Sequence, residues 1–164
     1  MALTASARRV DDAGGPDRDR VEAQNLDQLR HRNTNMTKSK TRKRILIVED
    51  DSDFRELLSR SLRQAGYEVQ EAEHALGAIC AMVHAGADLI LTDIRMPIMD
   101  GLGLVRELKA HEDTCDVPVV AMTGFDTPEN RKAALQAGCV GYIAKPVDAH
   151  EFLGRIAEFI RAAP

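Results

Sequence analysis

Between residues 43 and 162 two apolar patterns alternate. Short continuous apolar runs occur at Ile45-Leu46-Ile47-Val48, Leu89 to Thr92, Val117-Pro118-Val119-Val120-Ala121-Met122 and Tyr142-Ile143-Ala144. A run that is apolar at every position predicts a strand covered on both faces. Tyr67 to Ala72 is partly polar, which predicts an edge strand, and Pro118 stands near the start of its run, where a strand tolerates it.

Between these runs the apolar positions recur at helical spacing. Phe54, Leu57, Leu58, Ser61, Leu62 and Ala65 outline a helix with Ser52 or Asp53 as N-cap and Gly66 past its end. An Ala-rich helix from about His74 to Ala85 stops at Gly86, and another runs from about Gly101 to His111. Thr127-Pro128 supplies an N-cap followed by proline at the first helical position, opening a helix that closes at Gly138. Phe152, Ile156, Phe159 and Ile160 mark one face of a last helix. Five β-α units in succession predict an α/β fold, a (βα)5 doubly wound parallel five-stranded sheet, because right-handed crossovers place helices on both faces.

A length of 164 residues with 44% hydrophobic and 29% charged residues fits one domain with a real core. No stretch approaches the ~20 apolar residues that span a bilayer. Arg8-Arg9 is followed by Asp11, Asp12, Gly14, Gly15 and Pro16 where an export signal needs an apolar region, so a cytoplasmic location is expected. Cys80, Cys115 and Cys139 show no C-x-x-C spacing and read as reduced thiols, and the five histidines form no metal-ligand pair.

Charge separates the chain into two parts. Residues 1 to 44 hold 11 Lys/Arg against 6 Asp/Glu, and the remaining 120 hold 11 against 20. Residues 1–42 are therefore read as a basic N-terminal extension, expected to be disordered and dispensable for folding, with at most a transient helix near 20 to 31. Met36 is an alternative translation start within it. Residues 43–164 form the domain.

Chemistry is suggested by where the strands end. Asp93 follows the Leu89 to Thr92 run, at the carboxyl end of a buried parallel strand, where open α/β sheets hold ligands. Glu49-Asp50-Asp51 ends the first run, and Thr123 and Lys145 each end a further one. Four strand ends converge on one crevice.

Val48-Glu49-Asp50-Asp51, the segment Leu91-Thr92-Asp93-Ile94-Arg95-Met96-Pro97-Ile98-Met99-Asp100-Gly101, Met122-Thr123-Gly124 and Gly141-Tyr142-Ile143-Ala144-Lys145-Pro146 resemble, in order and spacing, the signature blocks of the receiver domain of bacterial two-component response regulators. The resemblance covers residues 43 to 162. It implies strand order 2-1-3-4-5, a flavodoxin-like fold, and a role for Asp93 as phosphoacceptor. Phosphoryl transfer to a carboxylate requires an ionised nucleophile in line with the donor and neutralisation of the equatorial oxygens.

Three carboxylates in one crevice repel one another unless a cation sits among them, and Mg2+, with Mn2+ as a substitute, suits carboxylates, waters and phosphate oxygens. The resemblance assigns ligation to Asp50 and Asp93, to the backbone carbonyl of Arg95, and to Glu49 through water. Asp51 has no matching role and reads as a solvated acid near the first helix. Lys145 supplies a mobile positive charge, and the resemblance implies a cis Lys145-Pro146 bond that would orient it. Thr123 offers a hydroxyl and Gly124 an accessible amide, while the resemblance makes Tyr142 the switch aromatic, expected to turn inward when Thr123 moves. Arg95 and Phe125 match the positions flanking the path of the hydrolytic water, which predicts slow autodephosphorylation.

The implied function is that of a single-domain response regulator in the style of the chemotaxis regulators, an element of phosphorelay signal transduction. It takes its phosphoryl group from a sensor histidine kinase or histidine phosphotransfer protein and presents a protein target with helix 4, strand 5 and helix 5. It is not expected to act as an enzyme beyond its own phosphorylation and dephosphorylation. Monomer and phosphorylation-dependent dimer both remain open, and no membrane contact is expected. The alternatives are an intermediate in a multistep phosphorelay and a DNA-associated regulator using the basic arm, although DNA contact is not the favoured reading. A phosphorylation-independent adaptor has no need to gather Asp50, Asp93, Thr123 and Lys145, and a small-molecule flavodoxin-like binder is disfavoured because no Gly-rich phosphate loop follows the first strand.

Overall fold

A computed structural model describes residues 42–162. Five strands and five helices alternate: β1 (Arg44–Val48), α1 (Ser52–Gln64), β2 (Glu68–Ala72), α2 (Ala75–Ala85), β3 (Leu89–Asp93), α3 (Gly101–Ala110), β4 (Val119–Thr123), α4 (Pro128–Ala137), β5 (Gly141–Ala144) and α5 (Ala149–Ala162). The sheet is parallel throughout, in the order β2-β1-β3-β4-β5. The expectations for the N-terminal extension lie outside the described residues.

Strand periodicity divides the core in two. Ile45 and Ile47 of β1, Leu89 and Leu91 of β3, and Val120 and Met122 of β4 pack under α1 and α5 with Leu58, Leu62, Phe152 and Ile156. The alternate residues Leu46, Val48, Ile90, Val119 and Ala121 pack under α2, α3 and α4. Each face is thus sealed by helices, which is why the central strands read as unbroken apolar runs. Burying a Leu, Ile or Phe side chain of this kind contributes about 1.5–3 kcal/mol.

Several boundaries differ from the sequence expectation. The N-cap of α1 is Asp51, whose carboxylate accepts hydrogen bonds from Asp53 N and Phe54 N, so this residue has a structural task and is not merely a solvated acid. Leu57 is 55% exposed, whereas Ser59 is buried with its hydroxyl donated to Glu71 at 2.7 Å. β4 begins at Val119, leaving Pro118 as a lead-in whose carbonyl accepts from Ile90 N. β3 extends to Asp93, which pairs in register with Met122.

The loop from β3 to α3 places the crevice wall. Gly101 begins α3 directly against the end of β3: a Cβ here would lie 1.9 Å from the Asp93 carbonyl oxygen. Its N–H donates to Ile94 O at 2.8 Å, closing the loop back on the strand. Only glycine admits that approach.

Candidate functional site

Strand β3 delivers Asp93 to the crevice floor, 7% exposed. Its neighbour Thr92 is fully buried and donates its hydroxyl to the Asp93 carbonyl at 3.0 Å. The end of β1 brings Glu49, buried at 1% exposure, and then exposed Asp50. Carboxylate oxygens of Glu49, Asp50 and Asp93 lie within 4.8 Å of one another. Three hard anionic oxygens at that spacing fit a small divalent cation, and magnesium in particular suits a partial protein shell completed by water.

Lys145, one residue past β5, reaches across the crevice. Its ammonium lies 2.6 Å from Glu49 Oε2 and 3.1 Å from Asp93 Oδ1, and 4.5 Å from the Phe54 ring centroid. The Lys145–Pro146 peptide bond is cis, and Lys145 N donates to Thr123 O at 2.7 Å. Burial pushes the Glu49 carboxyl above its ordinary range, against the opposing pull of the Lys145 ammonium. The lysine therefore bridges a buried acid and the strand-end aspartate.

Thr123 ends β4 at 2% exposure, and its hydroxyl oxygen accepts from Phe125 N at 3.1 Å. The hydroxyl thus braces the β4–α4 loop. Tyr142 does not enter the crevice: its half-buried ring packs on the α2–α4 side, and its hydroxyl donates to Phe125 O at 3.1 Å. Burial, followed by the Asp126 charge, raises the Tyr142 hydroxyl above its usual range. Asp126 is itself paired with Arg131, whose guanidinium lies 5.7 Å from the Tyr142 centroid. At the crevice mouth Arg95 stacks on Phe125, so its guanidinium is engaged by the ring.

Glu49, Asp50, Asp93 and Lys145 lie together, as the convergence of strand ends predicts, and two further residues that no motif marks join them. Phe54 borders the Lys145 ammonium, and Arg55 donates to the Glu49 carbonyl at 2.6 Å. Both lie in the first turns of α1, whose N-cap at Asp51, in place of the expected Ser52 or Asp53, aims that turn back toward the end of β1.

Comparison with known proteins agrees with this geometry. The sequence model of the response regulator receiver domain matches residues 45–157. The phosphate regulon transcriptional regulatory protein PhoB of Pseudomonas aeruginosa is 37% identical over 119 residues, covering 73% of this chain and 52% of that protein. The transcriptional regulatory protein PrrA of Mycobacterium tuberculosis is 36% identical over 121 residues, covering 74% and 51%. The chain thus spans about half the length of the curated relatives it matches. Among solved structures, the receiver domain of a sensor histidine kinase from Pseudomonas aeruginosa, with a magnesium ion coordinated in its active-site cleft, superposes with a TM-score of 0.69 at 31% identity, covering 74% of this chain and 100% of that one. Chemotaxis protein CheY4 of Vibrio cholerae gives a TM-score of 0.70 at 26% identity, covering 73% and 99%. Among the described residues no helix is long and apolar enough to cross a membrane.

Proposed function

The chain belongs to the response regulator receiver domain family, and on that premise we propose that Asp93 accepts a phosphoryl group from the phosphohistidine of a sensor histidine kinase or a histidine phosphotransfer protein. The observation that carries the proposal is the Lys145 ammonium held 3.1 Å from the Asp93 carboxylate at the end of a buried strand. In the transfer an Asp93 carboxylate oxygen attacks phosphorus, the P–N bond to the donor imidazole breaks, and an acyl phosphate forms. The released imidazole keeps its electron pair and takes a proton from solvent.

Glu49, Asp50 and Asp93 are the side chains that would hold magnesium, Glu49 through water, with the Arg95 main-chain carbonyl as a further ligand. When bound, the ion neutralises carboxylate and phosphoryl oxygens together. Lys145 can exchange its contact with Glu49 for a phosphoryl oxygen, a short movement for a flexible four-carbon stem. Thr123 would release Phe125 N and donate its hydroxyl to a second oxygen. Tyr142 would then follow, since its hydroxyl is bound to the same loop at Phe125 O. Phosphorylation would in this way shift a two-state equilibrium read by a protein partner at α4, β5 and α5. The domain acts on no separate substrate in this account; it catalyses only its own phosphorylation and dephosphorylation.

Phosphotransfer profiling tests the reading. Radiolabelled histidine kinases of the host are mixed with the wild-type chain and with Asp93→Asn, and partners are then captured on protein saturated with beryllofluoride. Rapid transfer from one kinase to the wild type alone is the expected result, and equal labelling of both proteins would refute it.

A further inference from the structure

Arg55 has no part in the proposed phosphoryl chemistry, yet it is built into the acidic loop. Its backbone N–H donates to Asp51 O at 2.9 Å in the first turn of α1, and from there the side chain, 17% exposed, folds back to donate to the Glu49 carbonyl at 2.6 Å. The other edge of the guanidinium faces the Glu71 carboxylate of β2 at 3.8 Å. Glu71 is in turn fixed by the Ser59 hydroxyl at 2.7 Å and by Arg63 at 2.9 Å.

The effect is to pin both sides of Asp50. Before it, Glu49 has its N–H bound to Ala72 O at 3.1 Å and its carbonyl bound by Arg55. After it, Asp51 is committed to capping α1. Asp50 itself carries no side-chain hydrogen bond among the described residues, so its carboxylate is located by its neighbours and left available. Lys145 offsets the charges of Glu49 and Asp93, but Asp50 has no such partner among the described residues, so repulsion from its neighbours bears on the β1–α1 loop that the Arg55 bond holds.

We infer that Arg55 is a positioning residue for the cation site: it holds the Glu49 carbonyl so that the three carboxylates remain within ligation distance of one divalent ion. The inference rests on the metal reading above. A residue of this kind can be separated from a merely charged neighbour by the sign of its effect. Arg55 is a cation beside an anionic site, so its charge alone opposes metal binding, and deleting that charge would tighten the site. Deleting a positioning bond weakens it.

The test is calorimetric titration of the full chain with magnesium chloride at fixed ionic strength, on wild type, Arg55→Met and Arg55→Lys, with a circular dichroism melt of each. Arg55→Met is expected to bind about 10-fold more weakly, and Arg55→Lys, which keeps the charge and one donor, to fall between it and wild type. Equal or tighter binding by Arg55→Met overturns the inference. Should Arg55→Met fail to fold, Arg55→Lys decides, because its charge is unchanged: affinity equal to wild type overturns the proposal and weaker affinity supports it. A wild type that takes up no magnesium would remove the metal reading along with this one.

Discussion

The Arg95 guanidinium carbon lies 3.7 Å from the centroid of the Phe125 ring. The two residues belong to separate loops, one after β3 and one after β4, and their contact spans the mouth of the crevice that holds Asp93. A cation stacked on an aromatic ring contributes roughly 0.5–1 kcal/mol at an exposed site, and Phe125 is 51% exposed. The stack is therefore weak enough to open; on the proposed function, a water approaching phosphorylated Asp93 past these two residues would meet an apolar face.

Slow loss of the phosphoryl group is the expected consequence. In-line attack needs an oriented water, and a phenyl ring offers it no hydrogen bond. Following the decay of the phosphorylated chain in magnesium should show Arg95→Asn combined with Phe125→Glu losing phosphate about 10-fold faster than wild type, a part of the roughly 10²–10⁴-fold that a well-positioned acid or base contributes. An unchanged decay rate would mean that Phe125 serves as a contact residue.

Gly101 supplies a stability prediction with a clear cause. A methyl group there meets the Asp93 carbonyl at 1.9 Å, and backbone cannot yield as a flexible side chain can. Gly101→Ala should cost about 1–3 kcal/mol or more, the range for overpacking a tight site. Chemical denaturation measures it, and a neutral substitution would show that the β3–α3 loop is looser than described.

Asp88 ties β3 to the start of β1, accepting from Lys43 Nζ at 2.8 Å and Arg44 N at 2.8 Å. Burial alone would raise its carboxyl, but the Lys43 ammonium and the Arg44 amide outweigh that and hold it below the ordinary aspartate range. A carboxylate with a lowered folded-state pKa adds stability that is present above its unfolded value and lost as pH falls through the folded one. Asp88→Asn should therefore lower the melting temperature at neutral pH, by the equivalent of about 1 kcal/mol or less for so exposed a pair. The difference should vanish under acid conditions, below the folded-state pKa, and a deficit that persisted there would trace instead to packing.

How far the sequence could be read depended on how local each signal was. The buried strands declared themselves because both faces are covered, so Ile45 to Val48 and Leu89 to Leu91 needed no partner to be recognised. The helix face of α1 was misjudged at Leu57 and Ser59 because the serine is buried through Glu71, a β2 residue that helical periodicity cannot see. Pro118 fell outside β4 because its neighbours begin the pairing, while it contributes only a carbonyl. Asp93 and Lys145 were legible from strand ends and matching blocks. The Arg55 bond to Glu49 and the Arg95–Phe125 stack were not, since both are contacts between side chains or loops that no spacing encodes.

The most direct measurement is the acid-labile phosphate formed from acetyl phosphate, counted per chain with and without magnesium for wild type, Asp93→Asn and Asp50→Asn. One magnesium-dependent phosphoryl group is expected on wild type, none on Asp93→Asn, and sharply reduced labelling of Asp50→Asn that recovers in part at high magnesium. Full labelling of Asp93→Asn would contradict the proposed role of Asp93.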